Sequence, residues 1–505
     1  MIKKILCLTL AVLFCLTALM GCKKKTDPNA DTSGAPGDTS DTVATEETLN
    51  DADTLGEYDF GGAAYKILTR AATDYEHDSK STAGIQSVSL EIYNRNASVE
   101  DRFNVKIEVK SATGGHSNEM NTALINQFRV YSEAGVAGAH LVSDHFAMIQ
   151  TASVQKWCLD LTQLATIDMA KEWWCEQFYE NCNIDGKFYV AVGDIGYTLY
   201  EYMLVTFFNE TLAESVVKDA GGNPIDLYQL MREGGWTLDV MKQYTKMLDY
   251  TNGGKYGLLL NSHSHRAFIT AFEGKLAVRE GDSWEYSFPQ VADERTVQMM
   301  DDVAAFIRDN NHKSVLDNND TGIDNGNLNP LFNEGNALFY ITTLDQITVI
   351  ADQMQNSNQY GVLPYPKYDS EVQMDYHTPV RDSLSAVCVP RVVDSRDREM
   401  VGVVTEALCM YGYQKIRPEY LDNVVKGRYL ADDDMKSVLD TLRDTLTLDF
   451  AHAYSMPLGY AYSFMDSMIS SGTGSDSFSN YYSGKVSGWT SRLADMYTAL
   501  SNVEG

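Results

Sequence analysis

Two kinds of side chain in this sequence could grip a solute without altering it. Planar polar groups make several hydrogen bonds at once, and aromatic rings offer a flat apolar face. Both recur where apolar runs stop. Arg70 and Tyr75 follow the run Tyr65–Arg70, and Asp144 and His145 follow Ala139–Asp144. Tyr340, Thr343 and Asp345 close the run that begins at Ala337. Tyr365 lies just past Tyr360–Pro364, and Arg381 and Asp382 precede Ser385–Pro390. Tyr197 and Tyr200 occupy the stretch before the apolar run Met203–Asn209. Asp144 and Asp345 stand out, because one carboxylate can accept from two hydroxyls. The pair Trp173-Trp174 could be a stacking platform, with packing an equal alternative.

Bond-breaking chemistry has weaker support. There is no Gly-x-Ser-x-Gly elbow, no His-Glu-x-x-His pair and no phosphate-binding Gly-Lys loop. A glycosidase needs only two carboxylates about 5–10 Å apart, and 70 acidic residues leave that reading open. His263 and His265, two apart, make a weak metal pair. Asp317-Asn318-Asn319-Asp320-Thr321-Gly322 has calcium-loop composition but lacks the full spacing and the closing Glu. No metal and no cofactor is expected. Beyond the first 22 residues the cysteines are Cys158, Cys175, Cys182, Cys388 and Cys409, too sparse for a disulfide framework. Cys175 and Cys182 could pair, though buried reduced thiols are the first expectation.

One cysteine stands apart. Lys3 and Lys4 precede an apolar stretch from Ile5 to Met20, and Gly21 and Cys22 follow. This is the layout of an export signal over residues 1–21. Leu19-Met20-Gly21-Cys22 resembles the bacterial lipobox, whose cysteine takes a diacylglycerol. Lipidation at Cys22 is therefore expected, with the protein held on the extracytoplasmic face of the cell membrane. Acyl chains contribute about 0.8 kcal/mol per buried methylene. Lys23, Lys24 and Lys25 could add roughly 1 kcal/mol each at anionic headgroups. Residues 22–55 then form a tether. From Thr26 to Asp53 they are nearly all small or polar, and such a stretch cannot bury enough apolar surface to offset its ordering entropy. Its flexible span is roughly 30 Å.

The chain has 505 residues and a formal charge of −30. Such acidity repels nucleic acid and anionic lipid, and favours neutral or cationic solutes unless a local basic pocket exists. No later apolar run approaches the roughly 20 residues that span a bilayer. What must position the candidate residues is a set of alternating elements. A strand at Tyr65–Arg70, a helix over Val88–Phe103 with Leu90, Ile92, Tyr93, Ala97, Val99 and Phe103 apolar, and a strictly alternating strand at Val105–Val109 come first. A helix over 121–131 and a strand at Ala139–Asp144 follow, the pattern of a parallel sheet with helices on its faces. Gly186–Asp194 reads as a hairpin arm. Met203–Asn209, Ala337–Thr342 and Tyr360–Pro364 read as strands of a second unit, with Thr237 capping a helix through Leu248. Ser385–Pro390 returns to the first unit, and the chain from Asp397 on is mostly helical.

Several segments, in order, resemble the carbohydrate group of extracellular solute-binding proteins that serve bacterial ABC importers. They are Tyr58-Asp59-Phe60-Gly61-Gly62, Trp173-Trp174, Ile184–Tyr189, Gly193-Asp194-Ile195 and Phe207–Glu210, then Gly235–Asp239, Tyr256-Gly257-Leu258, Phe332–Phe339 and Tyr360–Pro366. The resemblance implies an α/β fold of the type II periplasmic-binding-protein kind, with two lobes, a hinge and an interlobe cleft. Lobe 1 would take 56–196 and 384–430; lobe 2 would take 203–366 and 450–505. Crossings are expected near 195–203 and 366–384, with a third in 425–455. Ligands of open α/β sheets bind beyond the carboxyl ends of strands, which is where the residues above lie. The implied function is capture of a sugar or oligosaccharide and delivery to the transmembrane subunits of an ABC permease, by a monomer with no enzymatic activity. An extracellular glycosidase, a solute sensor, or a binder of peptide or another polar solute are the alternatives.

Overall fold

Helix boundaries follow from local chemistry. In the computed structural model, which describes residues 53–113, 122–281, 285–317, 328–354, 359–470 and 477–501, strand β1 (Ala63–Arg70) leads to helix α1 (Gln86–Phe103). The buried stripe of α1 is Val88, Ile92, Arg95, Val99 and Phe103, at helical spacing. Leu90 and Tyr93, read as part of that stripe in the sequence, are 58% and 59% exposed. Arg95 takes the inner face instead, donating to the carbonyls of Ile195 (2.8 Å) and Glu76 (2.9 Å). The helix ends at Asn104, whose φ of 48° turns the chain into strand β2 (Val105–Ala112). Helix α2 (Ala123–Ala134) starts with the Thr122 side chain accepting from Ile125 N–H and stops at Gly135, φ 67°. Strand β3 (Leu141–His145) follows, wholly buried, and runs straight into helix α3 (Phe146–Val154).

The second unit is built from β4 (Leu204–Asn209), β5 (Tyr256–Leu260), β6 (Val315–Asp317), β7 (Ala337–Thr343) and β8 (Tyr360–Leu363). Thr237 does cap a helix here, Leu238–Thr245. Helix α4 (Ser262–Ala271) follows β5, capped by Asn261. Beyond a short strand β9 (Thr378–Pro379), strand β10 (Ser385–Cys388) rejoins the first sheet. Helix α5 (Arg398–Tyr411), strand β11 (Leu446–Thr447), helix α6 (Phe464–Ile469) and helix α7 (Phe478–Ser501) complete the part used below.

Two sheets result. The first has order β10-β3-β1-β2, parallel except for β10; the second has order β8-β4-β7-β5-β6, with β7, β5 and β6 parallel. The long apolar runs of β4, β5 and β7 are buried throughout, as strands covered on both faces should be. Residues 186–194 form isolated bridges rather than a hairpin arm: Ile184 with Lys187, Ala191 with Val387 and Trp174 with Gly193.

Register decides what meets between the sheets. Ser385 at the start of β10 pairs with His145 at the end of β3. Leu204 at the start of β4 pairs with Thr343 at the end of β7. Three chain segments run side by side from one sheet to the other. Met203 bridges Val380, and Thr378 and Pro379 pair with Leu446 and Thr447. The carboxyl ends of β1, β3, β5 and β7 all open toward these segments.

Asp53 already pairs with Arg102 (2.6 Å), so contact with the body begins before residue 55, the expected end of the tether. Cys22, the leader and Lys23–Lys25 lie outside the described residues, as do Asn318–Gly322 of the calcium-like run. Asp317 of that run is bonded to His265. The five described cysteines are free thiols, so Cys175 and Cys182 are not paired. Among the described residues no helix is long and apolar enough to cross a membrane.

Candidate functional site

The first sheet delivers Arg70 and Asp144. Arg70 ends β1 and is buried. Its Nε donates to Thr73 Oγ1 (3.2 Å) and its Nη2 to the Ser383 carbonyl (3.2 Å), tying β1 to the returning segment. Asp144 is fully buried. Its Oδ1 accepts from His145 N–H (2.7 Å), while Oδ2 has no hydrogen-bond partner in the protein. Burial pushes its carboxyl up to about 6, and nearby Arg70 opposes that only in part. The first N–H groups of α3 are taken by the returning segment: Phe146 donates to Leu384 O (2.9 Å) and Ala147 to Asp382 O (3.5 Å).

The second sheet delivers Thr343 and Asp345 at the end of β7. Asp345 Oδ2 accepts from Gln346 Nε2 (2.9 Å), whereas Oδ1 is buried without a partner. Burial raises its pKa against the bonds from Thr343 and Gln346. Between the sheets, Arg381 donates its backbone N–H to Tyr202 O (3.0 Å), and its guanidinium lies 6.0 Å from the Tyr202 ring. Its Nε is buried with no partner. A buried ionic group lacking a hydrogen bond costs about 1–3 kcal/mol or more.

Beside Arg381 lies a cavity of about 120 Å³. Ala147 of α3, His263 and Arg266 of α4, and Arg381 and Asp382 of the crossing line it. The last wall is the segment between β11 and α6, through His452, Tyr460 and Tyr462. Burial pushes His263 down to about 3 and His452 down to about 4. Burial raises Asp382, but His263, His452 and Arg381 outweigh it and hold the carboxyl below its ordinary range. Tyr460 is 48% exposed and sits at φ 62°, ψ 41°, a left-handed conformation that costs a tyrosine of order 1 kcal/mol. Its N–H bond to Ser455 O (2.6 Å) holds it there. The Tyr462 ring stacks on His452, centroids 4.1 Å apart.

Of the residues singled out in the sequence, Arg381 and Asp382 line this cavity; Arg70 lies near Asp144, and Asp345, just past Thr343, lies near Arg381, outside the cavity lining, with His145 next to Asp144. Tyr75 has its hydroxyl on Glu201 (2.8 Å), with Tyr197 against its ring at 5.5 Å. The others go elsewhere. Trp173 and Trp174 are 3% and 4% exposed, and both indole N–H groups donate to Glu406, at 2.8 and 2.9 Å. They are pinned by Glu406 inside the first unit and, with Tyr200, line a separate cavity of about 650 Å³. Tyr200 donates to Asp194 (2.7 Å) in the same region. Tyr340 packs on Phe332 within β7. Tyr365 is buried edge-on to Phe268, its hydroxyl on the Ser264 carbonyl (3.0 Å).

The structure adds Tyr202, Arg266, His452, Tyr460 and Tyr462, and gives His263 a place at the cavity in place of a metal role. Among the described residues no group of three His, Cys, Asp or Glu side chains is placed to hold a metal. His263 was within reach of the strand-end rule, since it lies just past Leu260. Nothing in the local pattern marks 452–462.

Solved structures share this architecture. The sugar-binding protein MalE of Xanthomonas citri superposes with a TM-score of 0.55 at 11% identity, over 88% of this chain and 100% of that one. The galacto-N-biose/lacto-N-biose I-binding protein of a Bifidobacterium longum ABC transporter, in complex with lacto-N-biose, gives 0.51 at 13% identity, over 88% and 98%. A cyclo/maltodextrin-binding protein complexed with maltotetraose gives 0.51 at 14%, over 89% and 98%. The fold is that of a two-lobed solute-binding protein. No family model and no curated protein matches the sequence. In this two-lobed fold the β1–β3 sheet is one lobe, the β4–β8 sheet the other, and the side-by-side segments at 203, 378–380 and 446–447 are the crossings between them. The α/β class read from the order of apolar runs is the class observed.

Proposed function

We propose that this protein captures a sugar or oligosaccharide between its lobes, without changing it, and hands it to the transmembrane subunits of an ABC permease. The observation that carries the reading is a set of three buried atoms without protein partners, one from each structural part: Asp144 Oδ2 from the first lobe, Asp345 Oδ1 from the second, and Arg381 Nε from the crossing. A polyhydroxylated solute supplies donors to both carboxylates and an acceptor to the guanidinium. Tyr460 supplies an exposed ring for an apolar C–H face. The ligands carried by the neighbouring structures, lacto-N-biose and maltotetraose, are of this chemical kind. Hinged closure about the crossings would bring the groups together. Cys22 would carry the lipid that keeps the monomeric body at the outer face of the membrane.

Calorimetry of the compact body, residues 53–505, against mono- and oligosaccharides including lacto-N-biose and maltotetraose tests the capture. One-site binding with the sugar recovered intact supports it. Hydrolysed sugar would move the assignment to a glycosidase, and binding only to peptides would change the solute class. Mass spectrometry of the protein purified from membranes, with and without Cys22→Ala, tests the anchor.

A further inference from the structure

Arg266 lines the cavity, yet its guanidinium is held from behind. Its Nε donates to Asp466 Oδ1 (2.9 Å) and its Nη2 to Asp466 Oδ2. This two-point pairing fixes the plane of the group. Asp466 is held in turn, because its Oδ1 also bonds His265 Nε2 (2.6 Å). The other ring nitrogen, His265 Nδ1, bonds Asp317 Oδ2 (2.8 Å). Three elements are tied together: α4 through His265 and Arg266, the end of β6 through Asp317, and α6 through Asp466. The His265 side chain is wholly inaccessible and that of Asp317 nearly so, while Arg266 and Asp466 are about a quarter exposed.

With both carboxylates ionised, each ring nitrogen donates to one of them, the arrangement of an imidazolium. Burial opposes the charged ring, but the bonds to Asp317 and Asp466 outweigh it and hold the pKa above its ordinary value. The groups around it are His263 and Arg266 on its own helix, Asp317 at the strand end and Asp466 on α6. Arg308, on the helix Glu294–Asn310, donates to the Met468 carbonyl (3.4 Å). Burial, and to a lesser degree the Asp466 charge, raises the pKa of the Tyr481 phenol of α7.

We propose that Arg266 contacts the solute through Nη1, the amino group Asp466 leaves free, and that Asp317, His265 and Asp466 form a positioning chain holding it at the cavity wall. This rests on the capture reading above. The chain weakens as pH rises through the His265 pKa, because a neutral ring keeps only one of its two N–H donors.

The test uses the full-length protein in detergent, titrated with maltotetraose and lacto-N-biose between pH 6 and pH 9. Affinity is expected to fall in the parent protein as pH rises through the His265 pKa, which lies above its ordinary value. Arg266→Met should weaken binding about ten- to a hundredfold, the worth of a hydrogen bond to a charged group, and Arg266→Lys, which keeps the charge but loses the two-point pairing, should restore only part of it. His265→Gln should weaken binding and flatten the pH profile. Parent-like binding by Arg266→Met, or an unchanged pH profile in His265→Gln, overturns the proposal. Nitrogen-15 spectra of His265 in the parent protein give a measurement independent of any variant's folding. Two protonated ring nitrogens at pH 7 are expected, and one overturns it. No binding of either saccharide by a protein with a doubly protonated His265 sinks the capture reading, and the Arg266 contact with it.

Discussion

Two buried carboxylates in the first lobe have opposite fates. Glu406 on α5 receives Trp173 and Trp174, one indole on each oxygen. Asp144 at the end of β3 receives a single backbone N–H and keeps its second oxygen unmatched. Burial raises both, to about 7 and about 6. A perturbed carboxyl therefore does not by itself mark a site. What separates the two is satisfaction: Glu406 has a donor on each oxygen, and Asp144 keeps one oxygen unmatched, which under the capture reading is where the solute donates. The aromatic side chains divide in the same way. Trp173 and Trp174 are spent on Glu406, whereas Tyr460 stands exposed on a backbone conformation that resists it.

Substitutions can break this contrast. The largest effect is expected at the unmatched groups. Asp144→Ala or Arg381→Met should cut saccharide affinity by about a hundredfold or more with little change in Tm, read by calorimetry and thermal unfolding. Glu406→Gln should do the reverse, costing about 1–3 kcal/mol of stability because an amide cannot accept both indoles, with affinity unchanged. The same residue sharpens the comparison through pH. The folded pKa of Glu406 lies above its unfolded value near 4.5, so its contribution to stability is full below about pH 4.5 and is lost as pH rises through about 7. Denaturant titrations should show Glu406→Gln losing part of that slope. Tyr460→Ala should weaken binding by about fivefold, the scale of one aromatic contact. The smallest effect is expected for Cys175→Ser with Cys182→Ser, which should leave the response of Tm to reductant unchanged.

Much of the candidate site was legible because a strand end is a local property. Arg70, Asp144, Asp345, Arg381 and Asp382 could be placed from their positions beside apolar runs. The two tryptophans could not, since their role depends on a glutamate 232 and 233 positions away. Tyr340 and Tyr365 failed for a related reason: a residue in or just past a strand can face either way, and both turn into the core. In α1 the periodicity was right but the face was displaced, because Arg95 finds buried carbonyls that no hydrophobic pattern announces. The Tyr460 wall was illegible because its left-handed turn depends on contact with Ser455 O and not on its own residue type.

The way the returning segment is hung has a consequence for motion. Asp382 and Leu384 accept the first N–H groups of α3, and Ser383 accepts from Arg70, so this strap is riveted to the first lobe. Arg266 and Asp345 belong to the second. The gap between those two sets is a caliper. A fluorophore pair with one dye on the exposed side of α1, at Leu90, and the other on the second lobe, at Met247, would turn the proposed solute-driven closure into a change of transfer efficiency. Under the capture reading the protein would thereby serve as the chassis of an optical reporter for its solute.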